Sequence, residues 1–319
     1  MRNELSGGIR GLLAIFMIAN CVATPGTALA VAHGETNSSG PSGNSDADVS
    51  EGEVSVDESS GTVRLSIPVE LPPGPNGQRP NVGLGYSSGG ANGLVGVGWN
   101  LPVSKIVCSA RFGLPDYQNC DRFELDGEVL VGPTSASTGA EYRYHTFNES
   151  FARISYFPSG DLWQVTSPDG VRRTYGGSHP DTGRIKSASG GTAHWYLVSV
   201  ADVFGNVIEH EYSTGPTGAN PDVGYLRPAL VRYGGASREV HFSYEARPDP
   251  VVHYAGGIRT RMSERLSGIK VLVGGQLHHR VLFGYEQSLS SNVSRLILAQ
   301  RFGTDCAPEG PAAWRGPAC

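Results

Sequence analysis

Short runs of alternating apolar and polar residues, each ended by a turn signal, constrain the fold of this chain more than any other feature. The run TVRLSIPVEL has the period-2 pattern of a half-buried strand, and it ends at Pro72-Pro73-Gly74. Later runs turn back at Asp126-Gly127, Asp169-Gly170, Phe204-Gly205-Asn206 and Gly274-Gly275. No stretch of helical period is longer than about two turns. We therefore expect an all-β fold built as an antiparallel, hairpin-rich curved sheet.

The overall composition argues against two classes of partner. The 319-residue chain carries a formal net charge of −5, whereas nucleic-acid-binding proteins usually present a basic surface. Its arginines and lysines form no run that would act as a polybasic membrane patch. Glycine accounts for 44 residues, which favours turns and extended chain over long helices.

The first 30 residues have the pattern of a secretory signal peptide. Arg2 and Arg10 precede an apolar run from Leu12 to Ala19, and Ala28-Leu29-Ala30 has the small residues that a signal peptidase accepts. The apolar run is too short to span a bilayer, and no later segment approaches the roughly 20 apolar residues that a span needs. We predict export by the Sec route to the periplasm, the cell surface or the medium; an uncleaved membrane anchor is the alternative.

Two regions of different composition follow the signal peptide, residues 1–30. Residues 31–58 are rich in Gly, Ser and Asp and contain no aromatic residue, which predicts a disordered linker. The alternating pattern begins at about Ser59. We assign residues 59–319 to one β domain, whose final segment 304–319 contains cysteine and tryptophan.

The cysteines beyond the signal peptide predict structural disulfides, because an exported chain meets an oxidising environment. Cys108 and Cys120 are close in sequence, and so are Cys306 and Cys319. Four cysteines allow three connectivities, of which we favour the local pairing. Each local bridge would close a loop of about a dozen residues and stabilise the fold by roughly 3 kcal/mol. Inert thiols and a zinc site are the alternatives, although neither couple has the spacing of a zinc knuckle.

The segment Gly85-Tyr86-Ser87-Ser88-Gly89 matches the G-x-S-x-G spelling of a serine nucleophile elbow. An elbow requires a helix directly after the serine, but the glycine-rich GGANGLVGVGW that follows does not favour a helix. His210 and Asp202 could complete a triad, but both lie in strand-like or hairpin contexts. A secreted hydrolase that uses Ser87 is therefore the weakest of our functional hypotheses.

Three further glycines, Gly93, Gly96 and Gly98, suggest a phosphate-binding loop. Their spacing is the reverse of a dinucleotide fingerprint, no helix follows, and the Gly-Lys-Ser/Thr of a Walker motif is missing. Glycines in a strand more often mark a bulge or a close approach of two backbones. We predict that Tyr86 and Trp99 anchor two neighbouring strands, with Ser87 to Gly93 as the connecting turn.

Histidines and carboxylates do not form a recognisable site in the sequence. His278 and His279 are adjacent, and neighbours on a strand point to opposite faces, so a shared metal is not expected. His241 fits an ordinary strand position. The carboxylates are scattered, and no pair can be given glycosidase roles from sequence. We expect no catalytic residue, no metal and no bound cofactor.

The order of motifs from residue 59 to residue 131 resembles the opening of the SpvB/TcB family, which includes the B components of insecticidal toxin complexes. Leu-x-Tyr-Ser-Ser-Gly and Asn-Gly-x-x-Gly-x-Gly-Trp are followed by Gly-x-Pro-x-Tyr, Asp-x-Phe and Gly-Glu-x-Leu. The signature residues are Tyr86, Ser87, Gly89, Asn92, Gly93, Gly96, Gly98, Trp99, Gly113, Pro115, Tyr117, Asp121 and Phe123. Later hairpins, including one at 194–213 that resembles an RHS/YD repeat unit, extend the resemblance to about residue 303.

The resemblance implies a β-rich fold of the RHS/TcB shell type. In toxin complexes such a shell closes with a C component around the toxic polypeptide, and in other members the module precedes an actin-modifying ADP-ribosyltransferase. The sequence has no C-terminal transferase region with a Glu-x-Glu motif and no run of RHS repeats. We therefore expect an incomplete shell, from a truncated copy of a larger protein or from a stand-alone module.

Three functional hypotheses follow. The favoured one is a secreted, non-enzymatic shell or scaffold module of a toxin system, with a downstream RHS or TcC-like component or a toxin as its protein partner. The second is a surface-binding β domain for envelope glycan or a host receptor, which exposed aromatics at Trp163, Trp195 or Tyr212 would support. The third is the Ser87 hydrolase.

Overall fold

The structure, a computed structural model, describes residues 54–177 and 183–304. Its first strands are β1 (Val54–Asp57), β2 (Thr62–Pro68), β3 (Gly83–Ser87), β4 (Asn92–Gly93), β5 (Gly96–Val97), β6 (Trp99–Asn100) and β7 (Lys105–Cys108). The next are β8 (Phe123–Leu125), β9 (Glu128–Val131), β10 (Tyr142–Thr146), β11 (Arg153–Phe157), β12 (Leu162–Thr166), β13 (Arg172–Gly176) and β14 (Arg184–Lys186). The last are β15 (Thr192–Ala201), β16 (Val207–Ser213), β17 (Arg227–Tyr233), β18 (Arg238–Ala255), β19 (Ile258–Val273), β20 (Gln276–Gln287) and β21 (Ser294–Phe302). Two 3₁₀ helices, Pro75–Gly77 and Pro158–Gly160, complete the elements. The expectation of an antiparallel, hairpin-rich all-β fold is confirmed.

A 15-stranded sheet forms the body of the molecule, and part of it closes on itself. Strands β7 to β13 follow one another as neighbours, and β15 then pairs with both β7 and β13. These strands form the barrel. Its interior holds an aromatic cluster of Phe123, Tyr144, Tyr156, Trp163 and Trp195, with ring centroids 4.7–6.4 Å apart.

Strand β15 joins the barrel to the rest of the sheet. Its first half pairs with β14 on one side and β7 on the other, and its second half pairs with β13 and β16. From β16 the sheet continues outward in sequence order to β21. A strand that changes partners along its length lets one sheet be closed at one end and open at the other.

A smaller 4-stranded sheet of β1, β2, β3 and β6 packs on the open part of the large one. We call this pair of layers, with β16 to β21 as the second layer, the sandwich. Its core is mainly aliphatic and joins residues such as Leu84 and Val95 to Leu266, Ile269 and Leu296. Because successive side chains of a strand point to opposite faces, the alternation in the sequence supplies one apolar face to each layer.

Two of the four predicted turns are two-residue turns, and the other two are longer loops. Asp126-Gly127 and Gly274-Gly275 are two-residue turns with positive φ at both positions, the backbone that favours Gly and Asp at such sites. Phe204-Gly205-Asn206 lies in a longer loop closed by Asp202. The Asp169-Gly170 hairpin also has a longer loop, in which Ser167 N–H donates to Val171 O.

The predicted start of the β domain, at residue 59, is wrong by five residues. Residues 54–57 of the predicted linker form β1, which pairs with β2 in register Val54↔Leu65 to Asp57↔Thr62. The cause is a tight turn at residues 58–61, where the Asp57 carboxylate accepts hydrogen bonds from Ser59 and Ser60. The signal peptide and residues 31–53 lie outside the described residues, as does the end of the 304–319 segment beyond residue 304.

Candidate functional site

Tyr86 and Trp99 lie directly opposite each other on β3 and β6, as predicted. Their ring centroids are 5.1 Å apart. The connection between them is longer than the expected turn from Ser87 to Gly93, because it contains the small hairpin β4–β5. The glycine-rich segment is therefore a folded projection of the smaller sheet and has its own hydrogen bonds.

This projection docks on the long strands of the sandwich. Leu94 O accepts a hydrogen bond from Leu266 N–H at 2.8 Å. The buried guanidinium of Arg247 donates to Gly93 O at 2.8 Å and to Asn92 Oδ1 at 2.5 Å. The side-chain oxygen of the signature residue Asn92 therefore accepts a hydrogen bond from an arginine of the other layer. This contact explains the asparagine without a bound substrate.

Asp249 completes this contact. Its carboxylate accepts hydrogen bonds from Arg247, from Asn92 Nδ2 at 2.9 Å and from Ser294 N–H at 2.6 Å. These donors hold the pKa of Asp249 below its ordinary value, against the opposing effect of desolvation, which is the largest single influence. We call Asn92, Arg247, Asp249 and Ser294 the clamp.

Two signature glycines are required by close approach and by backbone angle. Gly96 has φ +88°, and a Cβ there would lie 2.7 Å from Ser294 O. Gly98 has φ +79°, and its Cβ would lie 2.6 Å from Cε2 of Tyr86. Both positions exclude larger residues for structural reasons, so the phosphate-loop interpretation is not needed.

The remaining signature residues lie in and after a loop closed by a disulfide between Cys108 and Cys120, whose Cα atoms are 6.0 Å apart. Gly113 and Pro115 are part of this loop, and Asp121 follows it. Tyr117 Oη donates to Gly256 O at 2.5 Å, which ties the loop to the turn between β18 and β19. Phe123 enters the barrel core. Cys306 and Cys319 lie outside the described residues.

Ser87 is the last residue of β3, and its chain continues into a turn and then β4. Within the described residues, its hydroxyl makes no hydrogen bond to a histidine or a carboxylate. Gly89 follows two residues later, and a Cβ added there would meet no atom within 4 Å. Asp202 is occupied in the β15–β16 loop, where it accepts from Asn206. Within residues 54–177 and 183–304, no hydrogen bond joins Ser87 to a general base.

No group of three or more His, Cys, Asp or Glu side chains that could hold a metal ion occurs among residues 54–177 and 183–304. His278 and His279 differ in exposure, as expected for neighbours on a strand, but their rings are in contact, with the Nδ1 atoms 2.8 Å apart. His241 contacts Glu239 at 2.8 Å.

The aromatic residues that would have supported a glycan site are in the interior. Trp163, Trp195 and Tyr212 are 0%, 3% and 5% exposed. Trp195 Nε1 donates to Asp161 Oδ1 at 2.7 Å, and Tyr212 Oη donates to Leu197 O at 2.6 Å. Their role is packing and internal hydrogen bonding.

A concave feature lies where the barrel meets the sandwich. It is a cavity of about 1350 Å³, which we call the cleft. Its wall includes Lys105 from β7, His194 and Tyr196 from β15, and His210 and Tyr212 from β16. On the other side lie residues of β3, β18 and β19. The cleft combines apolar walls with several nitrogen-bearing side chains, as ligand-binding sites commonly do.

Burial changes the acid–base behaviour of these groups. Desolvation and, to a smaller extent, the positive charge of Lys105 together lower the pKa of His194 to about 4. Desolvation likewise lowers the pKa of His210 to about 4. The pKa of Lys105 is lowered by burial, with Asp126 acting in the opposite direction.

The sequence analysis did not identify the cleft, although β15 contains a signal for it. Within this strand Trp195 and Leu197 point into the barrel core, whereas His194 and Tyr196 point to the cleft. The alternation of aromatic core residues with polar side chains indicates that one face of the strand lies in a core and the other lines a cavity. A partner strand is needed to place Lys105 opposite Tyr196, and that pairing is not visible in sequence.

A family model, described as SpvB: Salmonella virulence plasmid 65kDa B protein, matches residues 57–222. This range holds every signature residue and most of the barrel. The chain belongs to the SpvB family. A curated relative, Mono(ADP-ribosyl)transferase SpvB of Salmonella choleraesuis (strain SC-B67), is 28% identical over 211 residues, which cover 55% of this chain and 35% of the relative. The chain therefore spans about a third of that relative's length.

Solved structures show the same fold as this SpvB-family chain. The N-terminal domain of effector protein SpvB from Salmonella typhimurium strain LT2 has a TM-score of 0.64 at 22% identity, covering 74% of this chain and 98% of that domain. The TcdB2-TccC3 structure has a TM-score of 0.70 at 22% identity, covering 84% of this chain and 17% of that one. The large curved sheet with its closed barrel is thus shared with toxin-complex proteins. In residues 54–177 and 183–304, no helix is long and apolar enough to cross a membrane.

Proposed function

We propose that this SpvB-family chain is a secreted, non-enzymatic shell or scaffold module that assists the encapsulation, assembly or delivery of a toxin. The observation that carries the proposal is the fold shared with TcdB2-TccC3 over 84% of the chain. The family match over residues 57–222 supports it independently. Its partner would be an RHS or TcC-like component, or the toxin itself.

The internal chemistry of the signature supports a structural role. Asn92 contacts the other layer of the sandwich through the clamp, and Tyr86 and Trp99 pack against each other on neighbouring strands of the smaller sheet. Among the described residues, Ser87 makes no hydrogen bond to a histidine or a carboxylate, and the transferase name belongs to relatives of which this chain covers 35%. We therefore extend the scaffold role to this chain and leave the transferase activity with those longer proteins. The glycan alternative loses its main support because Trp163, Trp195 and Tyr212 are buried.

The decisive experiment is reconstitution of the purified full chain with an RHS or TcC-like component and its toxin polypeptide. We expect a complex of defined stoichiometry by size-exclusion chromatography with light scattering, and a toxin that resists a protease which digests it when free. Elution of every component at its own mass, with unchanged toxin digestion, would contradict the scaffold role.

Two controls separate the other hypotheses. A Ser87→Ala variant should assemble as the parent does, and any esterase activity of the preparation should be unchanged by it. Fractionation of the native host should find the chain outside the cytoplasm without residues 1–30. Cytoplasmic retention of the full-length chain would contradict the predicted export.

A further inference from the structure

The cleft concentrates basic side chains from five strands and one loop in one cavity. The charged residues and histidines that face it are Arg79, Lys105, Glu124, Asp126, Arg173, His194, His210 and His253, and the titratable tyrosines are Tyr117, Tyr175, Tyr196, Tyr212 and Tyr225. Both carboxylates already have partners: Glu124 accepts from Ser109 and pairs with Arg111, while Asp126 accepts from Ser104 and from the Lys105 N–H. The negative groups of the wall are therefore committed to the protein itself.

Three basic side chains of the cleft have hydrogen-bonding capacity that the protein does not use. Within the described residues, the Lys105 ammonium makes no hydrogen bond and has only the Tyr196 ring, 5.8 Å away, and the charge of Asp126 nearby. Nδ1 of His194 is buried without a hydrogen-bond partner. His210 makes no hydrogen bond through its ring among the described residues. Buried polar groups are normally hydrogen-bonded, and those that are not call for an explanation.

Strand pairing places these groups together on one wall. Lys105 is the direct cross-strand partner of Tyr196, and His194 is the partner of Val107 on the same pair of strands. Side chains at such diagonal positions are within reach of one ligand. Tyr196 stacks on Tyr212 at a centroid distance of 5.3 Å, which brings the wall of β16 beside that of β15.

We infer that the cleft is a binding site for an oxyanion, a carboxylate or phosphate group, held by Lys105 and His194, with His210 on the adjoining strand of the same wall. The ligand would add its negative charge to that of Asp126 beside Lys105 and accept a hydrogen bond from the His194 imidazole. The neighbouring phenol rings and apolar wall would accommodate the body to which the anionic group is attached. This site does not depend on the shell role proposed above.

The site predicts a specific response of two histidines. Burial now disfavours their protonated forms, so an anion bound beside them should raise both pKa values and bind more tightly as the pH falls from 7 to 5. Arg173 donates to Ser167, and Arg79 and His253 lie elsewhere on the wall. The response should therefore be concentrated at His194 and His210.

The test uses the purified full chain with isotope-labelled histidine, its signals assigned with His194→Gln and His210→Gln variants. Inorganic phosphate and succinate are titrated separately against chloride at constant ionic strength. We expect an upward shift of at least one pKa unit at both histidines with one or both anions, and the anion that acts identifies the oxyanion. The affinity should fall at least tenfold in Lys105→Met and stay unchanged in Lys270→Met, whose lysine is exposed on β19.

Equal binding by the Lys105→Met variant and the parent would overturn the site. So would shifts at His194 and His210 no larger than the shift at exposed His253. If Lys105→Met does not fold, the parent chain still tests the site, because the pKa shifts of His194 and His210 on addition of the anion can be compared with that of His253.

Discussion

The barrel and the sandwich share one sheet but differ in how their cores are assembled. The barrel is mostly made of consecutive hairpins from β7 to β13, and rings fill its interior, with Trp163 in contact with Phe123, Tyr144, Tyr156 and Trp195. The sandwich joins strands from the two ends of the described chain, and its core is mainly aliphatic. Aromatic rings fill a narrow closed space with few residues, whereas two flat layers need many small contacts.

The difference explains where the clamp is placed. Local hairpins close short loops, while the layers of the sandwich are brought together over long stretches of chain, which costs more conformational entropy. Arg247 and Asn92 are 155 positions apart and meet through a short, charge-assisted hydrogen bond. The family signature therefore marks the place where the fold depends on a long-range contact.

The largest expected effect comes from breaking the barrel core. Trp163→Ala removes a fully buried indole and should lower the free energy of unfolding by about 4 kcal/mol, because the rings around it cannot collapse into the space. Urea denaturation followed by circular dichroism measures the change. Phe204→Ala, at a site that is 75% exposed, should change the stability by no more than about 0.5 kcal/mol. Similar losses in the two variants would contradict the assigned core.

Breaking the clamp should have the next largest effect. Arg247→Met leaves the Asp249 carboxylate largely buried without its cation and should cost about 3 kcal/mol. Amide hydrogen exchange should increase in β3 to β6 and β18 to β19 before it increases in the barrel. Arg64→Met, at an exposed position of β2, is the matched control. An equal loss of protection in the barrel would show that the two regions do not differ in this respect.

The smallest expected effect is the pH dependence of the sandwich. Burial lowers the pKa of His279 to about 3, below its unfolded value near 6.5. The unfolded state therefore binds the extra proton first, and the stabilisation is complete above pH 6.5 and is lost as the pH falls toward 3. From pH 7 to pH 5, His279→Gln should reduce the acid-induced loss of unfolding free energy by about 2 kcal/mol.

Denaturation curves at both pH values measure this loss, with the exposed His253→Gln as control. Carboxylates with lowered pKa values, such as Asp249, lose their contribution only below about pH 4, so the chosen window isolates the histidines. An unchanged pH dependence in His279→Gln would show that its burial does not penalise the charged form.

Sequence reasoning recovered the features of the fold that depend on neighbouring residues. Asp126-Gly127 and Gly274-Gly275 were accessible because a two-residue turn with positive φ is determined locally. Tyr86 and Trp99 were also accessible, since a short connection limits how far apart two strands can be. The pairing of β13 with β15, and that of Arg247 with Asn92, were not, because no local pattern specifies a partner far along the chain.

The cleft was missed for a related reason. Lys105 and His194 come from strands joined only in three dimensions, so their residue types form no motif in the sequence. The reverse holds for Gly96 and Gly98. Their spacing suggested a phosphate-binding loop, whereas the structure explains them by close contacts with Ser294 and Tyr86. A glycine in the sequence can indicate that another part of the chain approaches closely, but it does not identify that part.

Strand β15 has a mechanical consequence. Four strands, β7, β13, β14 and β16, are hydrogen-bonded to its ten residues. In the described part of the chain, the large sheet passes from the barrel to the sandwich at the pairing of β15 with β16, which runs from Ser199↔Glu209 to Ala201↔Val207. A force that separates the two regions should therefore shear this short pairing, while β15 stays bonded to β7 and β13 in the barrel.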